Sequence, residues 1–124
     1  MNWILLLVVV FVFLGIIMKL KAGGTLPAAT AREHLKKGAM LVDVRTVAEY
    51  RAGHLPHAFN IPLDQVQQEF PRRAPDKSKV VLLHCRSGQR SGIAERELRA
   101  LGYTNVFNLG GYGRAEEAVN GRSK

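Results

Sequence analysis

An open, mostly parallel α/β sheet with helices on both faces, preceded by one transmembrane helix, is the fold class the sequence predicts, and three observations carry it. Two short runs, Met40 to Val44 and Lys79 to His84, have the continuous apolar character of strands buried on both faces of a parallel sheet. Segments with helical start and stop signals alternate with them, the order that builds parallel sheets. A separate stretch, Trp3 to Met18, carries no charge at all. The 124 residues, 47% hydrophobic and 23% charged, allow one compact domain and exclude a disordered chain or a disulfide-stapled miniature. Cys85 is the single cysteine, so it has no intrachain partner and cannot build a structural zinc cluster. The formal net charge of +8 suits an anionic partner without choosing among lipid, nucleic acid and a small oxyanion.

Taken in order, the chain divides into an anchor (residues 1–21), a linker (22–29) and a domain (30–124). Extended past Lys19 to Leu20, the apolar run gives about 18 residues and about 27 Å of helix, enough for a bilayer span. A secretory signal wants a cationic stretch before the run, and only Met1 and Asn2 precede it here. A helix buried in a core would need a larger protein around it. Lys19, Lys21, Arg32, Lys36 and Lys37 all follow the run and none precedes it, which predicts a single pass through the inner (plasma) membrane, amino terminus outside, domain in the cytoplasm. Ala22 to Ala29 reads as a linker by its glycines and proline. Thr30 with Glu33 has capping-box spacing, predicting a helix over 31–37 that stops at Gly38. The strand 40–44 follows, and then Thr46 with Glu49 repeats the spacing before a helix ended by Gly53. A short strand is expected near 58–61, a helix capped by Asp64 through Phe70, and a surface loop over 71–79. The strand 79–84, a helix over 91–101 ended by Gly102, a strand over 105–109, a Gly110-Gly111 turn and a helix over 115–119 complete the domain.

In such sheets the working site lies beyond the carboxyl ends of the strands. Cys85 stands there, at the start of the loop CRSGQRS that runs into a helix amino terminus. Converging loop amides, the positive end of that helix and the guanidiniums of Arg86 and Arg90 all favour an anion and lower a thiol's pKa. Cys85 is therefore expected to be a thiolate at neutral pH, although lone cysteines are more often inert core residues. Neighbours in a strand point to opposite faces, so His84 is expected to pack rather than move protons. His54 and His57, flanking Pro56, lack the further ligands a metal needs, and no metal or cofactor is expected.

These residues resemble the rhodanese family. Leu41 to Pro62, LVDVRTVAEYRAGHLPHAFNIP, is similar to its hallmark stretch, and Cys85 to Ser91 resembles its active-site loop; with Gly110-Gly111 the likeness runs from about Thr30 to Gly121. The family commonly has glycine where His57 stands and tryptophan where Tyr112 and Gly113 follow the paired glycines. The resemblance implies a single α/β sulfurtransferase domain in which Cys85 takes the outer sulfur of thiosulfate or a similar small anionic donor, holds it as a persulfide and passes it to cyanide, a thiol or a protein acceptor. It makes Arg86, Ser87, Gly88, Gln89, Arg90 and Ser91 the substrate-binding cradle, with Arg90 orienting the donor and Arg86 assisting. Ser91 is equally placed to cap the helix. Asp43, Arg45 and Glu49 become an ionic framework supporting the loop; helix capping with an ordinary Arg45–Glu49 pair is the plainer reading.

Three competitors are weighed against this. Cysteine phosphatases also use Cys and Arg in one anion-binding loop, but they place one residue more between the two than the four found here, Arg86 to Gln89, and a shorter cradle suits a sulfur better than a phosphoryl group. A rhodanese-like module that tethers a partner at the bilayer without turnover is opposed by the intact Cys85. Nucleic-acid binding lacks an interleaved aromatic platform, and the positive charge serves lipid heads or the donor equally well.

Overall fold

The computed structural model describes residues 2–22 and 25–121. Four strands, β1 (Met40–Asp43), β2 (Phe59–Asn60), β3 (Val81–His84) and β4 (Val106–Gly110), pair in the order β2-β1-β3-β4, every neighbouring pair parallel. The two apolar runs are thus the central strands, and all four residues of each are buried. Their side chains alternate between two layers, as a pleated strand requires. Val42, Val81, Leu83 and Val106 pack with Val66 and Phe70 of α4 (Val66–Arg73) and with Ala94 and Leu98 of α5 (Gln89–Ala100). Leu41, Leu82 and Leu109 pack on the other face with Ala31 of α2 (Ala28–Lys36), Tyr50 of α3 (Val47–Ala52), and Ala115 and Ala118 of α6 (Tyr112–Asn120). Helices therefore cover both faces, as expected, and α/β alternation places Asp43, His84 and Gly110 together at one edge of the sheet.

Several boundaries differ from the expected ones for identifiable reasons. The capping box at Thr30 and Glu33 does not form, because α2 starts at Ala28 with Pro27 at its amino terminus. The amide of Leu26 bonds the Asn108 carbonyl at 3.1 Å, docking the incoming chain on β4 and starting the helix early. Asp64 does not cap a helix; it sits inside a 3-10 turn (Leu63–Gln65), after which α4 continues through Pro71. The proline is tolerated one turn from the carboxyl end, where it removes a single ladder bond while buried Phe70 holds the helix edge-on against Tyr103, ring centroids 5.2 Å apart. His57 adopts φ of +65°, the left-handed conformation glycine tolerates best.

The amino-terminal run is helical, α1 (Trp3–Ala22). Trp3 to Leu14 and Ile16 are exposed on every side of it. The expected membrane span is nonetheless not supported: among the described residues no helix is long and apolar enough to cross a membrane. The side chains of Lys19 and Lys21, on which the expected orientation rested, and the linker residues Gly23 and Gly24 lie outside those described.

Candidate active site

The apolar strand β3 delivers Cys85 to the carboxyl edge of the sheet, where its amide bonds the Gly110 carbonyl at 3.2 Å. The chain then folds back on itself. Gly88 takes φ of +97° as the residue before α5, and a Cβ there would stand 3.2 Å from the Gly110 Cα, so glycine is required for both conformation and space. Ser87 bridges to Gly111, and the Tyr112 amide bonds the Arg86 carbonyl at 3.2 Å, strapping the loop to the segment after β4.

Inside this loop the Gly88 N–H donates to Cys85 Sγ at 3.0 Å and the Ser91 hydroxyl lies 3.5 Å from the same sulfur. Burial pushes the Cys85 thiol up, but hydrogen bonds from the Ser91 hydroxyl and the amides of Ser91, Gly88 and Ser87 outweigh it, and the thiol's pKa falls below its ordinary value. One main-chain hydrogen, that of Gly88, is thus bonded directly to the sulfur. Cys85 itself is 0% exposed, so its sulfur does not meet solvent in this conformation.

The charged residues pair differently from the plainer expectation. Glu49 does not pair with Arg45. Its carboxylate takes Arg90 in a two-point ion pair, Nη1 to Oε1 at 2.6 Å and Nη2 to Oε2 at 3.1 Å, while also accepting the Thr46 amide at 3.0 Å in the capping box of α3. Arg90, expected to receive the donor, is thus engaged across the loop, and it keeps a favourable interaction with Cys85. Arg45 instead grips buried Asp43, Nη2 to Oδ2 at 2.7 Å, with its other bonds to the same carboxylate and to the Gly53 carbonyl. Arg86 and Gln89 are exposed, and Arg86 lines a hollow of about 480 Å³ with Arg45, Glu49, Ala52, Gly53 and Tyr112. Ser91 lies inside α5 rather than at its start, since the helix begins at Gln89, and it therefore does not act as the cap. His84 is fully buried, with Nε2 3.8 Å from Asp43 Oδ2. Desolvation lowers its pKa against the pull of that carboxylate, so it packs as a neutral ring.

Two residues that the sequence does not single out also hold the site together. Asn60 holds the framework by donating to the carbonyls of Asp43 and Arg45 at 3.0 and 3.1 Å. Asn108, a polar residue in the VFNL run of β4, reaches the loop through Ser91 at 2.7 Å. A polar side chain in an otherwise apolar strand was the available clue.

The model of the rhodanese-like domain matches residues 27–116. The chain belongs to the rhodanese family. It is 40% identical over 70 residues to the thiosulfate sulfurtransferase PspE of Escherichia coli, a match covering 56% of this chain and 67% of that protein. It is 42% identical over 73 residues to YqhL of Bacillus subtilis, covering 59% of this chain and 56% of that protein. Among solved structures, this rhodanese is similar to a rhodanese with anions from E. coli, at 36% identity and a TM-score of 0.60, over 62% of this chain and 91% of the other. It is also similar to the human single domain sulfurtransferase TSTD1, at 29% identity and a TM-score of 0.65, over 82% of this chain and all of the other. A rhodanese-type enzyme, with a sulfur donor and a thiol acceptor as its partners, is what these relatives support.

Proposed function

We propose that Cys85 carries a sulfane sulfur from thiosulfate, or a donor of the same anionic type, to a thiol or to cyanide. The observation that carries this reading is the sulfur itself, bonded by the Gly88 amide at 3.0 Å in a loop that places four residues between Cys85 and Arg90. The thiolate attacks the outer sulfur of the donor; an S–S bond forms at Cys85 Sγ as the bond to the inner sulfur breaks, and sulfite leaves with the electron pair. The acceptor's lone pair then attacks the outer sulfur of the persulfide, and Cys85 departs as a thiolate. The loop amides of Ser87, Gly88 and Ser91 hold the negative charge before and after each transfer. Arg86, exposed on the loop, meets the anionic donor, while Arg90, tied to Glu49, keeps the cradle in shape and adds its field. Asp43, Arg45 and Glu49 serve this site as its frame.

The test is to incubate the protein with thiosulfate and weigh it. A gain of one sulfur atom, absent in Cys85→Ser and reversed by cyanide, is expected; an unchanged mass together with phosphoester hydrolysis would overturn the assignment. The complete burial of Cys85 favours one second reading, a domain that binds a partner without turnover. Steady-state release of thiocyanate decides between them. For its location we propose the cytoplasmic side of the inner (plasma) membrane, with α1 attached to lipid, supported by the exposed apolar surface of α1 and by the basic residues Arg32, Lys36 and Lys37 that follow it.

A further inference from the structure

Ser91 is fully buried and its hydroxyl has one proton, yet four acceptors stand within reach. Asn108 Oδ1 lies at 2.7 Å, the Gly88 carbonyl at 3.2 Å, and Cys85 Sγ and the Gly110 carbonyl at 3.5 Å each. Distance favours Asn108. The orientation of its amide is fixed independently, because the Gly110 N–H donates to Oδ1 at 2.8 Å and Nδ2 donates to the Gly88 carbonyl at 3.3 Å. Oδ1 therefore faces Ser91 as an acceptor. A sulfur at 3.5 Å is nevertheless in range, and a rotation of the hydroxyl alone moves the proton from one acceptor to the other.

We propose that Asn108 is a positioning residue that acts through Ser91: it holds the serine's only hydroxyl proton while Cys85 is neutral and releases it to Sγ when the sulfur is charged. A hydrogen bond to an anionic acceptor is about twice as strong as one between neutral groups, which is the force that turns the hydroxyl. Asn108 thereby sets how much of Ser91's help the thiolate receives. The inference deepens the reading of Cys85 as the sulfur carrier and rests on it, but the thiol can be titrated with no donor present, so the two fail separately.

The experiment titrates Cys85, the only cysteine, by its thiolate ultraviolet absorbance in a two-by-two set of Ser91→Ala and Asn108→Ala. Removing Asn108 frees the proton for sulfur, and the thiol's pKa is expected to fall by roughly half to one pH unit. Ser91→Ala raises it, and in that background Asn108→Ala leaves it unmoved. The charged groups around the site, Arg90 of α5, Glu49 of α3, and Asp43, Arg45 and His84 at the sheet edge, are common to all four proteins. A rise or no change in Asn108→Ala, or an equal shift with and without Ser91, overturns the proposal. Should Asn108→Ala fail to fold, Asn108→Asp keeps an acceptor for the Gly110 amide. Its carboxylate holds the proton harder, so the pKa rises by more with Ser91 present than without; equal rises again overturn the proposal.

Discussion

Glu49 stabilises the loop from outside it, and its titration makes that contribution measurable. The Arg90 guanidinium, then the Thr46 amide, hold its carboxyl down from the ordinary 4.5 to about 2. The folded state thus binds this proton less readily than the unfolded chain, so the stabilisation is fully present above about pH 4.5 and disappears as pH falls toward 2. Glu49→Gln is expected to cost about 1 kcal/mol at neutral pH, a modest figure because the pair is partly open to solvent. Urea unfolding of wild type and variant should show that gap closing between pH 4.5 and 2; a gap constant across the window would mean that the carboxylate charge is not what holds Arg90. At this scale the sequence disclosed Cys85 and the loop residues, since a thiol before a glycine-containing turn and a helix start is a local pattern. It disclosed neither the Glu49–Arg90 pair nor Asn108, because each joins elements that only the sheet order brings together.

Two identical spacings show why elements are less legible than motifs. Thr46 and Glu49 form both bonds of a capping box, whereas Thr30 and Glu33 form none, since the contact of Leu26 with β4 has already set where α2 begins. Local propensity offers a helix start, and tertiary docking decides whether it is used. A separate contact, of Ser87 with Gly111 and of the Tyr112 amide with the Arg86 carbonyl, makes the turn after β4 a part of the active loop. A Cβ on Gly111 would lie 2.8 Å from the Arg86 carbonyl oxygen, and both partners are backbone, so neither yields without moving the loop. Gly111→Ala is expected to destabilise the fold by roughly 1–3 kcal/mol and, by displacing the Gly88 amide from Cys85 Sγ, to raise the thiol's pKa. Urea unfolding and the pH profile of iodoacetamide alkylation measure the two effects. A variant with reduced stability but an unmoved alkylation profile would show that the strap supports the fold alone.

Over the whole molecule, the two apolar features of the sequence differ in whether the domain buries them. The alternation of strands and helices needs only neighbours within the domain to bury it, and the parallel sheet with covered faces follows. The run in α1 has no such neighbours: its side chains from Trp3 to Leu14, and Ile16, are exposed, with Phe11 at 80% and Trp3 at 66%. An apolar surface of this kind left in water favours transfer to an apolar environment, and the proposed attachment of α1 to lipid would supply one. Trp3 is the only tryptophan and reports on α1 alone. With vesicles of mixed neutral and anionic phospholipid, its emission is expected to shift to the blue and to be quenched by brominated acyl chains, and the protein should sediment with the vesicles. Raising the salt concentration weakens only the part of that binding due to basic residues such as Lys36 and Lys37, while the apolar part persists. An emission maximum that stays where water places it, with the protein left in the supernatant, would rule out attachment of α1 and leave the sulfur chemistry of Cys85 untouched.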